Sequence, residues 1–165
     1  MAHRFEITER VQFSDTDMAG IVHFSNFYRY MERAEHAFFR SLNLSVIDPE
    51  EHGTERVGWP RVHAGCDFFA PLKFEDEVRI ELLVEEVRSK VVRYLFRFWR
   101  MDGELAAEGR VTAACVRKDA ATGRMKAVTI PDRIRSQIEA ASANLLGTVR
   151  SRQPQASPTA NNSLP

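Results

Sequence analysis

Two carboxylates, a glycine and a histidine fall within nine residues in the stretch Phe13-Ser14-Asp15-Thr16-Asp17-Met18-Ala19-Gly20-Ile21-Val22-His23-Phe24-Ser25-Asn26-Phe27-Tyr28. A long amphipathic helix pattern follows at once. The first turn of a helix carries backbone N–H groups without intrahelical partners. Those donors and the positive end of the helix dipole can hold negative charge developing on an oxygen. An acid that attacks or deprotonates, set against donors that polarise a carbonyl, is a minimal site for acyl transfer.

Each of these residues also has a plainer role. Asp15 and Asp17 can shape a turn through side-chain bonds to the backbone. Gly20 can supply a backbone conformation that a Cβ would obstruct. His23 can assist proton transfer, ligate a metal or hydrogen-bond a neighbour. The metal role needs more ligands, and His36, thirteen residues on, brings no Cys or His pair with it, so no metal site is expected. Ser14, Ser25 and Ser45 lie outside any G-x-S-x-G elbow, and no Gly-rich phosphate loop is present. Glu32 and Glu35 sit beside Arg29 and Arg33 at helical spacings and read as surface salt bridges.

The elements that must position these groups are legible as periods. Phe5, Ile7, Val11 and Phe13 suggest a first strand over residues 4–13. From Ser25, the positions Phe27, Tyr30, Met31, Ala34, Phe38 and Leu42 make one helical face, with Ser25 or Asn26 as N-cap and an end near Asn43. Residues 44–58 read as a surface connection. Alternating runs over 60–70, 77–87, 91–100 and 104–117 predict four further strands, and Asp102-Gly103 marks a tight hairpin turn. Pro131 opens a short C-terminal helix through Ile134, Ile138 and Ala141. One helix on a five-stranded antiparallel sheet is an α+β layer, expected over residues 1–146, with 147–165 a disordered polar tail. Leu83, Leu95 and Trp99 fall on the face of the sheet away from the helix, and such a stripe predicts a partner surface and at least a dimer.

Composition narrows the function. The 165 residues balance 23 basic against 23 acidic side chains, which gives no ground for nucleic-acid or membrane-surface binding. Eleven Phe suit a large apolar core or pocket. Cys66 and Cys115 fall in apolar runs and read as buried free thiols of a cytoplasmic protein. The N-terminus lacks the apolar core of a signal peptide, and no run is long enough to span a bilayer.

The segment Phe13-Ser14-Asp15-Thr16-Asp17-Met18-Ala19-Gly20-Ile21-Val22, with Phe24, Asn26-Phe27 and the helix they open, resembles the hotdog-fold acyl-CoA thioesterases, specifically the 4-hydroxybenzoyl-CoA thioesterase family. The resemblance implies a sheet wrapped around a long central helix and hydrolysis of a coenzyme A thioester with an aromatic, short or medium acyl group. It assigns the catalytic carboxylate to Asp17 and the oxyanion donor to the backbone N–H of Phe24, with His23 beside them. Gly20, Val22, Phe27 and Tyr28 are then expected at the substrate, and Arg88 and Lys90, in a sheet hairpin, at the phosphates of coenzyme A. No cofactor is implied, since coenzyme A is part of the substrate, and a homo-oligomer is, as a dimer or a homotetramer built from dimers. The alternatives are a non-hydrolytic acyl-thioester-binding module on the same fold and a hotdog dehydratase.

Overall fold

The computed structural model describes residues 1–47 and 56–147. Strand β1 (Arg4–Arg10) leads through a short 3-10 turn (Phe13–Asp15) and the acid-bearing loop into α1 (Phe24–Ser41). Then come β2 (Val57–Gly58), β3 (Arg61–Phe68), β4 (Glu77–Val87), β5 (Val91–Arg100) and β6 (Leu105–Ala114). The described chain closes with β7 (Val116–Lys118), β8 (Met125–Ala127), α2 (Asp132–Arg135) and α3 (Ala143–Leu146).

Five strands form one antiparallel sheet in the order β1-β4-β5-β6-β3. Alternation in β4 and β5 sends Val78, Ile80, Leu82, Val84, Tyr94, Phe96 and Phe98 to the inner face, where all are fully buried. Helix α1 lays Phe27, Tyr30, Met31, Ala34 and Phe38 against that face. Gly109 sets how closely the two layers approach, since a Cβ there would lie 2.5 Å from the Met31 sulfur. This is the expected hotdog arrangement.

Both ends of α1 differ slightly from expectation. The N-cap is His23, whose Nδ1 accepts from the Ser25 N–H at 3.4 Å. The helix ends at Ser41, and Asn43 adopts φ of 56°, a left-handed conformation that Asn tolerates, while the Leu44 N–H bonds back to the Phe39 carbonyl at 2.9 Å. Strand β1 is shorter than predicted, because the 3-10 turn takes up Phe13.

Three features depart from the sequence reading or go beyond it. Strand β3 does not neighbour β4; it crosses to the far side of the sheet, pairs with β6 alone and leaves an open edge with Val62 exposed. A second small sheet, β2-β7-β8, goes unpredicted because strands of two or three residues hold no period.

The third correction concerns the stripe read as a partner surface. Leu83 and Leu95 are fully buried by the chain's own C-terminal segment, through Ala141, Leu145 and Leu146. The helix predicted from Pro131 stops at Arg135, because residues 137–141 pair as a strand would: the Ala2 N–H donates to the Gln137 carbonyl and the Ala141 N–H to the Val84 carbonyl. The segment then turns into α3, and Arg97 grips its end by donating to the Leu145 carbonyl at 2.8 Å and the Gly147 carbonyl at 2.6 Å. Beyond Gly147 the predicted polar tail lies outside the described residues, as do residues 48–55 of the predicted surface connection.

Candidate active site

The loop before α1 is a small hairpin closed on itself. The Asp17 N–H donates to the Ile21 carbonyl at 3.0 Å and the Gly20 N–H to the Asp17 carbonyl at 2.9 Å. Gly20 has φ of +74°, so it supplies the left-handed residue that closes the turn. The Val22 N–H donates to the Leu72 carbonyl at 2.8 Å and so ties the hairpin to the segment after β3.

The two acids divide the work. Asp15 is engaged on every side. Its carboxylate accepts from the Gln12 N–H at 2.9 Å and the Tyr30 hydroxyl at 2.8 Å. Its carbonyl accepts from the His23 N–H at 2.9 Å and Asn26 Nδ2 at 2.8 Å. Burial and the Asp15 carboxylate both hold the Tyr30 phenol protonated. Asp15 therefore fixes the loop against the helix. The Asp17 carboxylate accepts a single hydrogen bond among the described residues, from the Ala19 N–H to Oδ1 at 2.8 Å, and the residue is exposed.

Asp17 stands on the wall of a pocket of about 520 Å³. Val22 and Phe27 come to it from the loop and helix, and Phe24 forms its lip. The other side is the run Phe68-Phe69-Ala70-Pro71-Leu72. Phe27 stands edge-on to Phe68 at 5.0 Å and to Phe98 at 5.1 Å, so an aromatic stack braces the pocket from behind. The pocket volume lies within the usual range for small-molecule sites.

The donors of the first helical turn can be accounted for one by one. The Ser25 N–H goes to His23 Nδ1 and the Asn26 N–H to the His23 carbonyl. Among the described residues no acceptor takes the Phe24 N–H. That donor therefore stays open at the pocket lip. His23 Nδ1 also lies 2.8 Å from the Ser25 hydroxyl, so Ser25 engages that ring nitrogen with both its backbone and its side chain. His23 caps the helix and stacks on Phe24 at 4.4 Å.

Other expected site residues lie elsewhere. Tyr28 packs against the core and does not line the pocket. Arg88 and Lys90 occupy the β4–β5 turn, and Arg88 Nε pairs with Glu86 at 2.8 Å. Phe98, behind the pocket, stands opposite Ile80 near the other end of these strands. With about 3.3 Å per residue the turn is more than about 20 Å away, so one chain does not bring Arg88 and Lys90 to Asp17.

A second polar cluster escaped the sequence reading. Glu35 does not bridge along the helix surface. It is 1% exposed and pairs with Arg61 of β3, which also donates to the Trp59 carbonyl. Glu35 Oε1 and the Tyr94 hydroxyl are buried and have no hydrogen-bond partner among the described residues. Burial pushes the Glu35 carboxyl up to about 7, although the Arg61 charge pulls it down. Burial also lowers His36 and raises the Tyr94 phenol. No periodicity could have found this pair, because its members are 26 residues apart on different elements.

Cys66 is half-buried and Cys115 buried, both as free thiols, and burial pushes Cys66 up to about 12, which leaves it without thiolate character at neutral pH. Among the described residues no group of His, Cys, Asp and Glu could hold a metal, and no helix is long and apolar enough to cross a membrane.

Comparison with known proteins extends these observations. The 4-hydroxybenzoyl-CoA thioesterase of Pseudomonas sp. is 30% identical over 90 residues, 54% of this chain and 64% of that protein. Acyl-CoA thioesterase YbgC of Haemophilus influenzae is 25% identical over 132 residues, 80% of this chain and 92% of that protein. A solved gentisyl-coenzyme A thioesterase superposes with a TM-score of 0.67 at 30% identity, covering 79% of this chain and 99% of that one. Residues 11–138, which carry the loop, the pocket and the whole sheet apart from β1, match the family model described as the thioesterase-like superfamily, and the chain belongs to that family.

Proposed function

We propose that the protein hydrolyses acyl-CoA thioesters, with Asp17 as the catalytic carboxylate and the Phe24 N–H as the oxyanion donor. The observation that carries this reading is the pocket itself: among the described residues Asp17 is the one polar side chain on an otherwise apolar wall, and an N–H without an acceptor opens the adjacent helix. A thioester carbonyl directed at that N–H would gain stabilisation as charge grows on its oxygen, an effect of about 3 kcal/mol for a single donor elsewhere. Asp17 would either attack the carbonyl carbon to give a mixed anhydride or take a proton from the attacking water. The thiolate leaves readily, so the site needs no acid to assist departure. The names of the three relatives given above, each a thioesterase of a coenzyme A ester, support the same reaction class.

Arg88 and Lys90 are then proposed to meet the phosphates from another copy of the chain, since their own Asp17 lies at the far end of the sheet. The open β3 edge, with Val62 62% exposed and Phe68 and Phe69 about half exposed beyond it, supports a homo-oligomer formed there rather than over Leu83 and Leu95.

The test is thiol release from a panel of aromatic and aliphatic acyl-CoAs by the wild type, Asp17→Ala and Asp17→Asn. Turnover by the wild type and its loss in both variants is expected. Equal rates in all three remove Asp17 from the mechanism, and tight coenzyme A binding without turnover leaves a binding module.

A further inference from the structure

We infer, resting on the thioesterase reading above, that Tyr30 is a positioning residue for the site: its hydroxyl, bonded to Asp15, holds the Asp17 carboxylate and the Phe24 N–H in place relative to one another. Among the described residues the Asp17 carboxylate accepts one bond, from its own loop, and the Phe24 N–H finds no acceptor. Neither group is held by a side chain, so the backbone between them must place both. Asp15 joins the two ends of that backbone. It lies two residues before Asp17, and its carbonyl accepts from the N–H of His23, the residue next to Phe24. Whatever fixes Asp15 therefore fixes both groups at once.

Two side chains of α1 do so. Asn26, in the first turn, donates Nδ2 to the Asp15 carbonyl. Tyr30 donates to the Asp15 carboxylate from about 9 Å further along the helix than Phe24. The Gln12 N–H shares that carboxylate oxygen, but it belongs to the loop's own 3-10 turn and moves with it. Tyr30 does not. Its ring is fully buried between helix and sheet, lies edge-on to Phe27 with centroids 6.3 Å apart and sits 4.7 Å beneath the Arg33 guanidinium. Arg33 is in turn paired with Glu9 of β1 at 3.3 Å. Burial and the Asp15 charge keep the phenol protonated, so it stays a donor. The core thus gives an exposed loop a fixed point of reference, and every bond in the series is made inside one copy of the chain.

The experiment uses Tyr30→Phe, which keeps the ring and removes only the hydroxyl. Tyr94→Phe is the reference, since the Tyr94 hydroxyl is equally buried but has no hydrogen-bond partner among the described residues. Two readouts are taken on the full chain: kcat and KM for the best thioester of the panel, well below the unfolding midpoint, and hydrogen–deuterium exchange of the peptide spanning residues 14–24. Tyr30→Phe is expected to lower kcat by about 10- to 100-fold, the scale of a small misplacement of reacting groups, with KM within about twofold of the wild type. Exchange over residues 14–24 is expected to quicken by about tenfold, while β4 and β5 keep their wild-type rates. Tyr94→Phe should leave both readouts unchanged. An unchanged kcat in Tyr30→Phe, or an equal fall in both variants, overturns the inference and leaves the hydrolase reading intact. Absence of turnover with every thioester defeats the hydrolase reading, and exchange then decides alone. Quickening confined to residues 14–24 upholds the anchoring by Tyr30, and exchange that is unchanged or raised throughout the chain overturns it. If Tyr30→Phe does not fold, Asp15→Ala removes the same bond from the loop side and is judged by the same outcomes.

Discussion

Asp17 stands at the mouth of α1, and Glu35 lies about three turns further along, under the helix. The first is exposed, holds one backbone N–H and faces an open pocket. The second is enclosed, keeps one oxygen on Arg61 and has the other without a partner among the described residues. Open surroundings leave the Asp17 carboxylate accessible from the pocket. Burial raises the Glu35 carboxyl to about 7 and gives its charge a single countercharge, on the edge strand. Two carboxylates, one in the loop before α1 and one on the helix, thus meet opposite surroundings: the first lies open at a pocket, and the second ties the helix to β3.

The contrast is sharpest for activity at Asp17. Asp17→Ala should lower kcat by about 100- to 10,000-fold, with a thermal unfolding midpoint close to the wild type. A large fall in that midpoint would mean that Asp17 is also structural and would break the comparison. Glu35→Ala should do the reverse. Removing one partner of a buried ion pair costs about 3 kcal/mol, so chemical denaturation should show that loss, while kcat measured well below the unfolding midpoint stays within about twofold of the wild type.

The pH dependence of stability sharpens the comparison further. The Glu35 carboxyl titrates near 4.5 when unfolded and about 7 when folded. Between those values the folded chain retains a proton that the unfolded chain has released. Its contribution to stability is therefore present below about 4.5 and is lost as pH rises towards 7. Denaturation midpoints measured across that range should show this decline in the wild type and a flatter profile in Glu35→Gln. An unchanged slope in the variant would remove Glu35 as its source. The smallest effect is expected at Gly20, where φ of +74° strains any residue with a Cβ although the space around it is open. Gly20→Ala should cost about 1 kcal/mol, read by thermal unfolding.

What was legible in the sequence follows from how each feature is encoded. Val78, Ile80, Leu82 and Val84 alternate with Arg79 and Glu81, and that period survives in the folded strand because one face meets the helix and the other does not. The Asp15–Phe24 loop was legible through residue types at short range, and its two acids separate into scaffold and open carboxylate as the structure draws them. The opposite wall of the pocket was not. Phe68 to Leu72 is a continuous apolar run, and only the crossing of β3 to the far edge of the sheet turns it towards Asp17. Glu35–Arg61 and the covering of Leu83 and Leu95 by Leu145 and Leu146 were hidden for the same reason, because each joins segments remote in sequence and no local pattern records the pairing.

Arg97 has a practical consequence. By holding the carbonyls of Leu145 and Gly147 it makes the described chain finish on the convex side of the sheet, away from α1. Replacing Arg97 would release those two carbonyls and so loosen the cover that Leu145 and Leu146 lay over Leu83 and Leu95.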